Sequence, residues 1–409
     1  PLAAEWIDFG QTSPFLFEGG TAGNGDLVLT ASYSGVPLLE KRIHLELHDA
    51  TWFYDHFTLK ATEDDLEPVE EQVRTVREGG YDPEVDEYVL YVHGWNMEDW
   101  SKQRWTETIF KRLWWLGYQG KVGLFDWPCR TLPSLDVLVN YDISEYRAWH
   151  SAPVLARLLT DRDQSIGSRY AGQVRILGHS QGNVVAGEAI NLMPSETIYS
   201  YVASQAALST SLYHQDVADI VPALPDFEYE TPEVFGNYPA LEPKVPYLGS
   251  VPEKIPERRM FTYFNVKDYA LTDAGPLTPG WEYNNKTRPD DSIGYNYVYS
   301  TVDYYPDNLQ PGEGFVKSGS PVLDLRFPGN RYEIFSFGAE SRTKALGATS
   351  PPAILLEKSR DLTVWGFNDK HYSHSRQFRS NIVDERPYWM SLVADCDLTQ
   401  TFTTEGSMQ

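Results

Sequence analysis

Apolar and polar positions divide the chain into three textures. In residues 1–60, Leu27, Leu29, Ala31 and Tyr33 alternate with polar positions, and Ile43, Leu45 and Leu47 do so again after a Ser34-Gly35 turn. Period-two alternation is the pattern of half-buried strands. Two clear strands make a poor independent core, so this span reads as a β extension or the tail of an upstream β module. Residues 61–86 are acidic and punctuated by Glu63-Asp64-Asp65, Pro68 and Gly79-Gly80, which is linker chemistry.

Residues 87–409 alternate strand and helix patterns. Tyr88-Val89-Leu90-Tyr91-Val92 is an apolar run ending at His93-Gly94. Trp105, Ile109, Leu113 and Leu116 follow at helical spacing with Gly120 beyond them. Lys121-Val122-Gly123-Leu124-Phe125 is the next strand, closed by Asp126-Trp127-Pro128. The pattern then predicts a helix from Ser144 toward Leu159, a strand over 173–177, an apolar helix from Asn183 and a strand at Tyr201-Val202-Ala203. Strand-like runs recur at 261–266 and 332–337, and a last helix at 375–393. Such alternation implies an α/β domain, with a mostly parallel sheet and helices on both faces.

Two stretches interrupt the alternation. Residues 208–258 are rich in Pro and aromatics, and 275–315 in Gly, Pro, Asn and Tyr. Loops of this length in a compact domain are functional or disordered. Their aromatic content points to ordered loops, as a cap over the site or as structural decoration.

Composition narrows the classes. At 409 residues and 41% hydrophobic content, the chain can bury one large α/β core and a small additional module. A net charge of −24 argues against nucleic acid as a partner and against anionic lipid surfaces. No apolar run approaches the roughly 18 residues of a membrane span. Cys129 and Cys396 are too few for a disulfide framework or a metal cluster; they pair if the protein is exported, or stand as idle thiols. No His-Glu-x-x-His spacing appears, and no metal or cofactor is expected. Pro1 is preceded by no leader, which implies residues upstream of it. Localisation is therefore not read from the N-terminus; high Trp and Tyr with sparse cysteine suits an exported protein as well as a cytosolic one.

The chemistry concentrates at Gly178-His179-Ser180-Gln181-Gly182, between an apolar strand and a small-residue helix. Chance supplies about 0.1 Gly-x-Ser-x-Gly matches in a chain of this length at ordinary Gly and Ser usage. In strand-turn-helix context the motif is a nucleophile elbow, in which Gly178 and Gly182 permit the tight turn and Ser180 is the nucleophile. A serine hydroxyl needs a base, and in the order Ser, acid, His the base follows the elbow. His214 falls too early, inside the suspected cap. His371 and His374 share a late loop; His374 is favoured because His374-Ser375 adjoins the last helix, and His371 is the alternative. The orienting acid should end a strand between Ser180 and that histidine. Asp268 is the choice and Asp273 the alternative; Asp126 ends a strand but precedes Ser180. An oxyanion needs two convergent backbone N–H groups: Gln181 supplies one, and Trp95, in the loop Val92-His93-Gly94-Trp95-Asn96, the second.

Together, Val92-His93-Gly94-Trp95-Asn96, the Gly-His-Ser-Gln-Gly elbow at 178–182 and the late His374-Ser375 resemble the α/β-hydrolase superfamily, most nearly its bacterial lipase and esterase branch. The resemblance covers about residues 87–395 and leaves the N-terminal β segment unaccounted for. It implies an α/β-hydrolase fold and a cofactor-free serine carboxylesterase or lipase acting on a small-molecule or lipid ester. A thioesterase, peptidase or acyltransferase on the same residues, or a non-catalytic binding or scaffold module, are the alternatives, because fold does not fix substrate.

Overall fold

The computed structural model describes residues 21–61, 73–129, 137–163, 165–208, 213, 251–272, 346–348, 350–367, 373–379 and 382–400. Its centre is an eight-stranded sheet in the order β10-β9-β8-β7-β5-β6-β3-β4. The strands are β3 (Tyr54–Thr58), β4 (Arg74–Arg77), β5 (Tyr88–Val92), β6 (Lys121–Asp126), β7 (Val174–His179), β8 (Ser200–Ser204), β9 (Met260–Phe264) and β10 (Ser359–Asp361). Neighbours run parallel except β4, which pairs antiparallel with β3 at the edge. The protein is thus α/β with a mostly parallel sheet.

Strand pleating sends alternate residues to opposite faces, and β5 shows it. Tyr88, Leu90 and Val92 enter one apolar core, Val89 and Tyr91 the other. The first core is covered by α2 (Val137–Thr160) and α4 (Gly182–Leu192), with α3 (Ser165–Arg169) between them in sequence. The second is covered by α1 (Asp99–Trp115) and α5 (Ile382–Asp395), whose Tyr388, Trp389 and Leu392 are buried. Burial on both faces explains why these strands read as unbroken apolar runs.

Several boundaries differ from those predicted. Strand β3 lies inside the supposed N-terminal extension, and β4 inside the supposed linker at 61–86, so the sheet begins before residue 87. Strand β4 is largely exposed, and β3 is polar for a specific reason. Asp55 on β3 accepts hydrogen bonds from Tyr88 Oη (2.9 Å) and the Gly79 amide (2.8 Å), and His56 pairs with Asp126. Helix α1 is closed by Gly117 at φ 92 rather than by Gly120. The predicted last helix is two segments, Arg376–Arg379 and α5. The strand expected at 332–337, residues 214–250 of the first interrupting stretch and all of 275–315 lie outside the described residues.

The N-terminal alternation does form a hairpin, β1 (Gly23–Tyr33) and β2 (Val36–Leu47), turned by Ser34 and Gly35, both at positive φ as a type I′ turn requires. Leu27 faces Ile43 and Ala31 faces Leu39 on one side, while Arg42 pairs with Asp26 and Glu40 on the other. Among the described residues no helix is long and apolar enough to cross a membrane.

These two environments predict opposite mutational costs. Leu90→Ala, at a fully buried position, should destabilise by about 2–5 kcal/mol. Leu39→Ser, on the exposed hairpin, should stay within about 0.5 kcal/mol. Urea unfolding of both variants checks this; a large loss at Leu39 would mean that the hairpin face is covered.

Candidate active site

The order of the sheet reverses at β5: the chain moves outward to β6 and returns to β7 on the other side. At such a switch point the crevice at the strands' carboxyl ends is where α/β sheets place ligands. There β5 ends at His93-Gly94, β6 at Asp126 and β7 at His179, with Ser180 next.

Ser180 has φ 53, a left-handed conformation for a non-glycine residue. Backbone of this kind costs on the order of 1–3 kcal/mol and persists only where neighbours enforce it. They do so here. The Ser180 amide donates to Ser204 O (3.1 Å), while Ser180 O accepts from the amides of Asn183 and Ala207 (3.1 Å each) and from Asn183 Nδ2 (2.9 Å). The glycines have a steric cause. A Cβ on Gly182 would sit 2.3 Å from His93 O and 2.4 Å from Val92 O, and one on Gly178 2.3 Å from Asn183 Oδ1. The β5 loop is equally close, since a Cβ on Gly94 would lie 2.8 Å from the Ser180 Cβ. Gln181, fully buried, then caps α4, and Trp95 follows Gly94 in the β5 loop.

Two of the residues predicted to complete the site, His374 and Asp268, are in contact. His374 Nδ1 is 2.7 Å from Asp268 Oδ2. The His374 ring lies 4.9 Å, centroid to centroid, from that of His179, the residue before Ser180. His179 Nε2 donates to His374 O at 2.7 Å. Asp268 is fully buried, four residues past β9, and its Oδ1 accepts the amide of Ala270 at 3.0 Å. His371 and Asp273, the alternatives, and His214 lie outside the described residues.

Two other histidines are held in opposite states. His179 is buried against Trp105 and Phe378, and burial, then the nearby His374, pushes its pKa well below the usual imidazole range. It is neutral beside His374. His93 is also buried, which works against its charge, but a hydrogen bond to Asp126 and the neighbouring Cys129 raise its pKa. Geometry agrees. His93 Nε2 is 3.3 Å from Asp126 Oδ1 and Nδ1 is 2.8 Å from Gly94 O, two oxygens that only accept. Both ring nitrogens face acceptors, an arrangement that favours the doubly protonated ring.

Asp126, set aside on chain order, is the anion of this cluster. It accepts from Lys102 Nζ (2.7 Å), His56 Nε2 (3.1 Å) and Thr58 Oγ1 (3.3 Å) as well as from His93. Burial opposes its charge, but the bonds from His56 and His93 and the Lys102 charge hold its carboxyl far below the usual range. The cluster fastens β3, β5, β6 and α1 beneath the loop that passes Ser180. Cys129 and Cys396 are both free thiols. Among the described residues no group of His, Cys, Asp and Glu is placed to hold a metal ion.

The chain matches no protein-family model, and neither a curated protein nor a solved structure matches it significantly.

Asp126→Asn leaves the buried Lys102 with only the exposed Asp99 carboxylate, at 3.3 Å, as counter-charge, and breaking a buried pair in this way costs about 3–5 kcal/mol. Adding Lys102→Met should recover part of that loss. Urea unfolding of the single and double variants checks both; a cost under about 1 kcal/mol for Asp126→Asn would contradict the role assigned to it.

Proposed function

We propose that this protein is a serine-dependent carboxylic ester hydrolase of the α/β-hydrolase type. The observation that carries the reading is the 2.7 Å bond between His374 Nδ1 and Asp268, formed against the wall of a strained elbow whose serine has φ 53. In this reading Ser180 Oγ attacks the ester carbonyl as His374 Nε2 takes its proton. Asp268 fixes the Nδ1–H tautomer and stabilises the imidazolium that forms. The N–H groups of Gln181 and Trp95 receive the negative charge on the tetrahedral oxygen. His374 then gives its proton to the leaving alkoxide, which departs as the alcohol. A water attacks the acyl-serine by the same steps and frees the acid and Ser180.

The electrostatics favour this chemistry. His374 must become cationic during turnover, and a protonated His179 beside it would oppose that change; burial keeps His179 neutral. The Gly94 carbonyl, tied to His93, belongs to the same peptide unit as the Trp95 N–H. In a trans peptide the two point in opposite directions, so fixing one orients the other.

Hydrolysis of a p-nitrophenyl ester tests the reading. Ser180→Ala should lose at least about 10³-fold in kcat; equal turnover by the two proteins would overturn it. Amide and thioester analogues of matched acyl length should turn over more slowly than the ester.

A further inference from the structure

We infer that Gln205 is a positioning residue, holding the acid and the base-bearing segment in register; this rests on the function proposed above. Gln205 follows β8 directly and has φ 44, a second left-handed non-glycine residue at the carboxyl edge of the sheet. Its amide N–H donates to Tyr263 O on β9 at 2.7 Å, and its side chain is fully buried. Nε2 lies 2.6 Å from Asp268 Oδ2 and 2.7 Å from Ser373 O.

An amide nitrogen has two hydrogens, and here two acceptors take them. The opposite orientation of the side chain would set Oε1 against a carboxylate and a carbonyl, neither of which can donate. The donor assignment is therefore forced by chemistry. Asp268 Oδ2, the oxygen that Gln205 grips, is the one that meets His374 Nδ1, and Ser373 is the residue before His374. A single side chain thus spans the acid and the backbone beside the base. His179 holds the next carbonyl, that of His374, from the elbow side.

The strain at φ 44 gives independent support. A left-handed glutamine is disfavoured and is tolerated where surrounding structure demands it. A residue needed only to fill the core would not require an amide placed between two acceptors.

The test compares wild type, Gln205→Leu and Gln205→Glu for p-nitrophenyl ester kinetics against pH, alongside the far-downfield proton NMR signal of His374 Nδ1–H. Gln205→Leu should lower kcat by about tenfold or more with KM within about twofold, and should weaken or shift the downfield signal. Gln205→Glu places a second carboxyl group beside Asp268, and two neighbouring carboxyls hold one proton between them to higher pH than one does alone. That retained proton moves the acid limb of the kcat profile to higher pH. If wild type turns over and both variants keep kcat, the pH profile and the signal, the inference is overturned while the hydrolase reading stands. If Gln205→Leu does not fold, the near-isosteric Gln205→Glu decides through its pH limb. If wild type does not turn over, the hydrolase reading fails, and an NMR signal unaltered by both variants would remove the positioning role as well.

Discussion

The site depends on one close approach of backbone to backbone. The end of β5 runs so near the elbow that neither position 182 nor position 94 has room for a Cβ without colliding with the other segment. That contact fixes where the β5 loop lies relative to Ser180. It also joins the two strands between which the sheet order reverses, so the crevice and the strained serine coincide. Tight packing of this kind transmits small displacements, and a methyl group at 182 would move the loop, the serine or both.

Electrostatics then separates the histidines around this contact. Asp126 favours the charged form of His93 beneath the loop, and burial disfavours the charged form of His179 beside His374. Their linkage to stability has opposite signs. A raised imidazole pKa gives stability that is complete below the unfolded value near 6.5 and is lost as pH rises through the folded value. The depressed His179 removes stability as pH falls below about 6.5, because only the unfolded chain takes up that proton there. Asp126, depressed by its donors, adds stability above the ordinary carboxylate range that is lost in acid. A fold so arranged disfavours positive charge on His179, beside His374, and favours it on His93, beneath the loop of Gly94 and Trp95.

Much of this architecture was legible in the sequence where burial is two-sided. Strands β5 to β9 read as apolar runs because helices cover both faces, and Gly-His-Ser-Gln-Gly carried its turn because only glycine fits at 178 and 182. Strands β3 and β10 were not legible. Asp55 and His56 on β3 are polar because buried partners satisfy them, and Ser359-Arg360-Asp361 is a three-residue edge strand without apolar periodicity. Asp268 and His374 were reached by chain order, and the geometry brings them into contact. Gln205 was invisible for a different reason. Nothing local marks a glutamine whose value lies in two acceptors contributed by residues 63 and 168 positions later. The Asp126 cluster was missed likewise, since its donors come from β3, β5 and α1.

The central claim is that Ser180 is activated by His374 in particular. Labelling with a fluorophosphonate, followed by peptide mapping and rate measurement, tests it most directly. The account predicts a single adduct on Ser180, formed at least about 10²-fold more slowly in His374→Ala and at the wild-type rate in His371→Ala. An adduct elsewhere, or His374→Ala labelled as fast as wild type, would contradict it.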